Sequence, residues 1–496
     1  MLTKRNLASL QPLLPLLPIA LVLLVQAPRE PAVFDDAFIT FRYARNIALG
    51  SGFTYNPGSP VLGTTTPLFT AILAFIAALG DSGFIPSAAF AISVAADCVA
   101  AWLLFRLART AFDDDITAIL LSATWAVLPF RLSIAGGGME ASLFTLLLLV
   151  AFERLVLARA LLLGPLFAAL AILTRPDAVI ALAPMFAYLI LRDRPFTIKA
   201  SALLVAVIAP WAVWATSYFG SPIPNSLVAK AVAYRFFPGF AAYFILPFLG
   251  TWTIAQYAVT PLLFAASILG LAIIAIGLFH TARRLPSFFP LVVYGPLFLT
   301  IMGIANAPMF FPWYYYPILP SLLFAIASFA CFSPIPSLAA RRGTLALTLA
   351  ATVVVPGFLI RFSPSWPLSR EREQAYSDAC AFLQTTVQPG DVVLAPDIGV
   401  LGWCLPEAEI LDPVGLVSPD ALAYLPRRPQ GPAIPAELVL ASEPDHIVAL
   451  EQYVTPFLTP SRQFALEYRL AWSRPVTIAG RTQELFVYSR AEGPLP

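Results

Sequence analysis

Two adjacent aspartates, Asp35 and Asp36, are the residues whose type and spacing point most directly to chemistry. Adjacent carboxylates repel, so each raises the proton affinity of the other. A positioned carboxylate of this kind can accept a proton as a general base. The pair also suits the start of a helix, where an acid caps free amides and favours the helix dipole. That structural interpretation requires only one of the two acids, and the residues alone leave both interpretations open.

The segment after the pair is predicted to be a helix that positions it. Its apolar residues follow helical spacing; they are Ala37, Phe38, Phe41, Ala44, Ile47 and Ala48. This pattern indicates an amphipathic helix lying in a membrane interface. Residues 50–67 then combine glycine, asparagine and proline at a density typical of an ordered, turn-rich loop.

The composition indicates a multi-pass membrane protein. Of 496 residues, 59% are hydrophobic and 12% charged, and the mean hydropathy is +0.80. A soluble core could not bury this much apolar surface. The net charge of +2 is too small to suggest nucleic-acid binding. With only His280 and His446, a zinc site or a histidine triad is not expected.

Apolar stretches predict an all-α polytopic bundle of about 11 to 13 membrane helices. They lie at 13–27, 86–108, 115–133, 140–157, 160–174, 177–191, 198–218, 256–279, 286–305, 312–332 and 344–360. The stretches 67–80 and 240–250 are short and could be partial, re-entrant or tilted. We interpret 13–27 as a retained membrane helix rather than a cleaved signal peptide.

Basic residues predict the orientation. They cluster at alternate junctions, at Lys4, Arg5, Arg106, Arg109, Arg154, Arg159, Arg192, Arg194, Lys199, Arg283, Arg284, Arg341 and Arg342. These junctions share one side if 67–80 does not cross the bilayer, and that side is expected to be cytoplasmic, with the N-terminus. The opposite side of the plasma (inner) membrane then receives the loop 28–66, the turns 136–140, 174–177 and 306–313, the loop 220–240, and the chain after 361.

A change in composition near residue 361 predicts two domains, a transmembrane module at 1–360 and a small extracytoplasmic α/β domain at 361–496. The polar domain is expected to contain a helix at 369–387. Short strands are expected at 391–395, 409–412, 446–450 and 482–489. Cys380 and Cys404 could form a disulfide there or remain two buried thiols.

Five short motifs occur in order near the aspartates. They are Asp35-Asp36, Arg42–Ala44, Gly50–Gly52, Asn56–Gly58 and Thr64–Leu68. This stretch resembles the first periplasmic loop of the GT-C superfamily, the membrane glycosyltransferases that use polyprenyl-phosphate sugars. It is most similar to bacterial terminal arabinofuranosyltransferases and their mannosyltransferase-like relatives.

Later segments fit the same resemblance in the same order. They are Gly136–Glu140, Thr174–Asp177, Pro224–Lys230, Asp397–Gly399 and Asp412–Leu416. The chain departs from the family pattern at one place. Relatives carry a charged run after Asn-Pro, whereas residues 58–63 are uncharged here, so the resemblance does not identify the sugar.

The resemblance implies an inverting transfer of a sugar from a polyprenyl-phosphate donor to a cell-envelope glycan, lipid or protein acceptor. Asp35 is the favoured base, and Asp36 shares the role or orients the acceptor. Arg175 and Lys230 are candidates for the lipid phosphate. The other predicted substrate-binding residues are Arg42, Tyr43, Asn56, Glu140, Asp177 and Asn225.

Several of these residues could instead have a purely structural role. Lys230 could be an interfacial cation, Arg42 could pair with lipid headgroups, and Glu140 could be a first-turn acid or a partner of Arg175. The aromatic run 313–316 is typical of an interfacial belt, although it could stack on a sugar. The acidic run 113–115 resembles a metal-binding motif, but its expected cytoplasmic position indicates a helix start, and no cofactor or obligatory metal is predicted.

Two other classes of protein compete with a transferase. A transporter or lipid flippase would show repeats and helices broken near the bilayer centre, and no repeat is apparent. A non-catalytic scaffold would leave the aspartate pair and the ordered first loop without a role. The sequence therefore favours the enzyme.

Overall fold

The computed structural model describes residues 11–31, 33–235, 261–305, 311–362, 370–427, 432–478 and 481–491. The short apolar stretch predicted at 240–250 lies outside these residues.

Helices dominate the chain before residue 362. The first group is α1 (Leu16–Gln26), α2 (Asp35–Ala48), α3 (Pro67–Leu79), α4 (Ile85–Phe112), α5 (Asp115–Val127), α6 (Pro129–Ala135), α7 (Ala141–Phe152) and α8 (Leu163–Thr174). The second group is α9 (Ala178–Arg192), α10 (Arg194–Phe219), α11 (Asn225–Ala233), α12 (Pro261–Arg284), α13 (Phe289–Ile304), α14 (Leu319–Phe332) and α15 (Leu338–Phe362).

Proline and aspartate mark where several of these helices begin. Proline occupies the first turn of α4, α6, α10, α13 and α14, where its missing N–H costs nothing. The side chain of Asp114 accepts the Thr117 amide at the start of α5, and Asp193 accepts the Phe196 amide at the start of α10. The acidic run 113–115 is thus a helix start in the structure.

Three helical stretches among the described residues are long and apolar enough to cross a membrane. They are Ser82–Phe112, Arg194–Phe219 and Pro312–Phe332. A fourth candidate is the pair α5 and α6, which bends by 49° at the break before Pro129. Among the described residues, the apolar helices α1, α3, α8, α9 and α13 are shorter, at 10–17 residues; α3 is the predicted re-entrant stretch.

An ion pair inside the bundle holds the bent helix α6 and was not singled out by the sequence analysis. Arg131 on α6 lies 2.7 Å from Asp97 on α4, and both side chains are fully buried. Tyr316 and Ser142 donate to the Asp97 carboxylate, and Gln26 accepts from Arg131. Buried charges persist only when paired in this way.

After residue 370 the chain forms a small domain around a five-stranded sheet. Its helices are α16 (Arg370–Leu383), α17 (Gly399–Cys404), α18 (Ala436–Ser442), α19 (Glu451–Val454) and α20 (Arg462–Glu467). Its strands are β1 (Val392–Leu394), β2 (Glu409–Leu411), β3 (His446–Leu450), β4 (Tyr468–Ile478) and β5 (Arg481–Arg490), in the order β2-β1-β3-β5-β4. Strands β1, β2 and β3 are parallel, whereas β5 is antiparallel to both neighbours.

Strand β4 is the strand of this domain that the sequence did not predict, and the short helices α17–α20 were not predicted either. Strand β4 contains Pro475 and several exposed residues, which weaken a strand pattern. The structure tolerates the proline because β4 is at the edge of the sheet. Cys380 and Cys404, left open by the sequence, are paired as a disulfide.

Candidate active site

Helix α2, which carries the aspartate pair, is enclosed by protein on opposite sides. Its apolar side contacts α3, where Phe41 and Ala37 pack beside Phe69 and Leu73. Its other side contacts α17 of the C-terminal domain. The sequence predicted an amphipathic helix lying in the membrane interface; the helix is present, but it is sandwiched between the bundle and the domain.

A glycine turn receives the start of α2. The Phe34 amide donates to the Gly137 carbonyl at 3.0 Å. A Cβ on Gly137 would lie 2.1 Å from the Phe34 ring, so the ring occupies space that only glycine leaves free. The turn 136–140 therefore fixes where the aspartate pair begins.

The two aspartates have different surroundings. Asp35 is 2% exposed, and its carboxylate accepts the amides of Gly399 at 3.0 Å and Val400 at 2.8 Å. The Asp36 side chain is 26% exposed, and one of its oxygens lies 3.7 Å from Lys230 Nζ. Asp35 is thus bound at the N-terminus of α17, whereas Asp36 faces a cation and open space.

Burial raises the pKa of Asp35 to about 7, and the nearby Asp397 carboxylate adds to the shift. Arg372 and the Val400 amide act in the opposite direction. Asp397 in turn accepts from Tyr376 Oη at 2.6 Å and lies 3.4 Å from Arg372. Arg372 was not among the predicted site residues, because a basic residue in an amphipathic helix normally indicates a solvated face.

The predicted residue Arg42 is fully buried between the first loop and the domain. Its guanidinium donates to the carbonyls of Gly402, Leu405 and Ala408 in the domain. It also donates to the Tyr55 carbonyl and to the Asn56 side chain. This burial lowers the pKa of Arg42.

The other polar residues predicted in the first loop also fasten it. Asn56 exchanges two hydrogen bonds with the backbone of Ile410. Tyr43 Oη donates to the Val61 carbonyl at 2.5 Å and accepts the Gly63 amide at 2.8 Å. Arg42 and Asn56 thus hold the first loop to the domain, whereas the hydrogen bonds of Tyr43 are within the loop.

Helix α11 brings Lys230 to the aspartates. At its start the Asn225 side chain donates to the carbonyls of Gly415 and Leu416, and the Asn225 amide donates to Leu62. The buried Asp412 carboxylate accepts several amides of residues 414–417 and so shapes that loop. Asn225 therefore anchors α11 against both the first loop and the domain.

A second cluster surrounds Arg175, after α8. Its guanidinium is 3.0 Å from Glu140 and 2.9 Å from Asp177. Arg175 also lies over the ring of Tyr314 at 4.7 Å. Two carboxylates thus neutralise the single cation.

An aromatic segment connects the two clusters. Lys230 Nζ lies 4.4 Å above the ring of Phe311, which is near Tyr314 and hence Arg175. The sequence favoured an interfacial aromatic belt at 313–316. Instead, Trp313, Tyr315 and Tyr316 are buried in the bundle.

No group of three His, Cys, Asp or Glu side chains within the described ranges is arranged to hold a metal ion. The predicted residues instead form two clusters. One contains Asp35, Asp36, Lys230 and the loop residues that hold them, and the other contains Glu140, Arg175 and Asp177.

Comparisons with known proteins concern the fold and the domain. A family described as a domain of unknown function, DUF8728, matches residues 366–488. A search of curated protein sequences finds no match. Two crystal structures of ArnT from Cupriavidus metallidurans are similar to the whole chain at 12% identity, covering 96% of this chain and 97% of theirs. The TM-score is 0.54 for ArnT bound to undecaprenyl phosphate and 0.56 for the apo state. The chain therefore has an ArnT-like fold, with apolar helices and a C-terminal sheet domain.

Proposed function

We propose that this protein is a GT-C glycosyltransferase that moves a sugar from a polyprenyl-phosphate donor to an extracytoplasmic glycan, lipid or protein acceptor. The observation that carries the proposal is the pairing of Asp36 with Lys230 beside the buried Asp35, at the junction of bundle, loop and domain. It is supported by the fold of ArnT, a GT-C glycosyltransferase that was crystallised with undecaprenyl phosphate.

The contacts favour Asp36 as the base. A general base must reach the acceptor hydroxyl within hydrogen-bonding distance, and Asp36 is the more exposed of the pair. Both carboxylate oxygens of Asp35 already accept backbone amides. In our proposal Asp35 anchors the loop and Asp36 takes the proton. The position of the motif alone had favoured Asp35 as the base.

Lys230 is the cation best suited to the leaving phosphate. It is paired with one carboxylate at 3.7 Å, which is a loose contact, and its ammonium group has further donors. Arg175 is held tightly by Glu140 and Asp177. We therefore assign Lys230 to the phosphate and Arg175 to fixing the turn after α8.

An apolar groove of about 630 Å³ supports a lipid donor. It lies between the end of α2, α3, the end of α8 and α10, and is lined by residues that include Ile47, Phe53, Leu68, Phe75, Leu173 and Trp214. One of the lining residues, Leu173, is two positions before Arg175 in the chain. An isoprenoid chain matches such a surface because both are apolar.

The transfer balances as a single displacement. The acceptor oxygen forms a bond to the anomeric carbon, and its proton passes to Asp36. The bond from that carbon to the phosphate oxygen breaks, and its electron pair leaves with the lipid phosphate beside Lys230. One displacement inverts the anomeric centre. The uncharged run 58–63 departs from the charged loop of the resembled family, so we propose that it contributes to the choice between a pentose and a hexose donor.

The function is tested by sugar transfer in membranes that contain the chain. A panel of radiolabelled polyprenyl-phosphate pentoses and hexoses is supplied, and label in glycan, lipid and protein fractions is counted. Transfer above control membranes, with an inverted anomeric configuration in the product, supports the proposal. Absence of transfer from every donor, together with movement of labelled lipid across the bilayer, would favour a flippase instead.

A further inference from the structure

The C-terminal domain contacts the aspartate pair directly. The amides of Gly399 and Val400 bind the Asp35 carboxylate. A Cβ on Gly399 would lie 1.7 Å from the Asp35 carbonyl oxygen, so this approach requires glycine. The domain and the first loop are thus in backbone contact at Asp35, next to the candidate base Asp36.

The domain also places charges of both signs around Asp35. Asp397 precedes α17, and its carboxylate is held by Tyr376 Oη at 2.6 Å and by Arg372 at 3.4 Å. Both Asp397 and Arg372 are near enough to influence the proton affinity of Asp35, in opposite directions.

A disulfide joins the two parts of the domain that make these contacts. Cys404 ends α17, whose first amides hold Asp35. Its partner Cys380 lies on α16, the helix that also carries Arg372 and Tyr376. The crosslink therefore fixes the amides and the charged pair relative to each other.

We propose that the domain matching DUF8728 is a working part of the catalytic centre, in which the Gly399 and Val400 amides, with Asp397 and Arg372, orient the first-loop aspartates. Arg372 and Asp397 are positioning residues that act through Asp35. This inference rests on the proposed transferase function and assigns the domain a role within it.

The placement of Asp397 distinguishes this role from simple docking. A surface that only held the loop would gain by placing cations near the buried Asp35 and would lose by placing another carboxylate there. A like charge kept close to a buried acid is instead typical of sites that adjust proton affinity. The titratable groups facing Asp35 are Asp36 on α2, Tyr55 in the loop, Arg372 on α16 and Asp397 before α17.

The test compares Asp397→Asn, Arg372→Gln and Arg372→Lys with wild type in full-length protein. Glu443→Gln is the control, because Glu443 belongs to the same domain but forms an exposed pair with Arg490. The quantities measured are kcat, KM for donor and acceptor, and the pH dependence of kcat/KM.

Asp35 acts through its ionised carboxylate, which accepts the Gly399 and Val400 amides and so positions the base Asp36. We therefore expect opposite shifts of the limb of the pH profile that reports ionisation of Asp35. Asp397→Asn removes a charge that raises the pKa of Asp35, so the limb moves to lower pH. Arg372→Gln removes a charge that lowers it, so the limb moves to higher pH, and Arg372→Lys restores the wild-type limb. In both neutralised variants kcat falls by about tenfold or more with KM nearly unchanged. An unshifted profile, or a raised acceptor KM with kcat retained, would overturn the proposal and indicate a structural or acceptor-binding domain.

A measurement without turnover separates this inference from the proposed function. Thermal unfolding of purified Asp35→Asn, Asp397→Asn and the double variant forms a double-mutant cycle. Non-additive changes in Tm would show that the domain controls Asp35 even if no donor is used, so that only the transferase assignment fails. Additive changes would overturn the inference itself.

Discussion

Asp35 and Arg42 contact opposite ends of the same short helix, α17. The Asp35 carboxylate accepts amides at its first two residues, and the Arg42 guanidinium donates to carbonyls at and beyond its last turn. The two residues are seven positions, about two turns, apart on α2. A carboxylate at the N-terminus and a cation at the C-terminus both favour the dipole of α17. This pairing joins the first loop to the C-terminal domain.

Replacement of Arg42 should therefore destabilise the fold more than loss of one surface charge. Arg42→Met removes the side-chain donor to the buried Ala408 carbonyl and leaves the Gly402 carbonyl with Arg45 as its side-chain donor. We expect the free energy of unfolding to fall by about 3 kcal/mol, which is the upper end for an unsatisfied buried polar group. Thermal unfolding in detergent measures the change. The matched control is Arg469→Met, whose arginine is exposed on β4; an equal loss in both variants would contradict a special role for Arg42.

Stability should depend on pH through Asp35. The pKa of this carboxyl is raised to about 7 in the folded protein and is about 3.9 in an unfolded chain. Between these values the folded state holds a proton that the unfolded state has lost, so this group makes stability fall as pH rises through that window. Above about pH 7 its contribution is constant.

The measurement for this prediction is Tm between pH 5 and pH 8 for wild type and Asp35→Asn. The Tm of the wild type should fall more with rising pH than the Tm of the variant, because the variant has no titrating group at this position. Parallel curves for the two proteins would show that Asp35 is already ionised throughout the range.

The Asp97–Arg131 pair should be sensitive to loss of one partner. Both side chains are completely buried, so Arg131→Met leaves an unpaired carboxylate inside the bundle. We expect a loss of about 3–5 kcal/mol in the free energy of unfolding. The double variant Asp97→Leu with Arg131→Met should regain much of the stability, because it removes both charges. A double variant as unstable as the single one would indicate that the hydrogen bonds to Gln26 and Tyr316 matter more than the charges.

Local patterns were sufficient to predict several elements. The spacing of apolar residues after Asp36 predicts α2, and the apolar runs of the tail predict β1, β2, β3 and β5. Sequence reasoning also brought Arg175 and Glu140 into one hypothesis, and the structure shows their ion pair. The helix and the strands depend on residues close together in the chain. The ion pair was predictable because its two motifs carry opposite charges.

The parts that sequence reasoning missed depend on distant contacts. The partners of Arg42 at Gly402 and Leu405 are some 360 positions away, so the sequence favoured pairing of its side chain with lipid headgroups. Asp97 lies within an otherwise apolar run, where average hydropathy conceals one acid. Arg372 and Asp397 gain significance only because the domain folds back over the first loop.

The central claim is that Asp36 accepts the proton of the acceptor hydroxyl during sugar transfer. The most direct test is kcat for Asp36→Asn beside Asp115→Asn, whose aspartate is exposed to a similar extent, 25% against 26%, but pairs with Arg109 at the start of α5. We predict that Asp36→Asn lowers kcat by at least about 100-fold at unchanged expression and that Asp115→Asn retains wild-type activity. Transfer that persists at the wild-type rate in Asp36→Asn would contradict the claim and remove Asp36 from the mechanism.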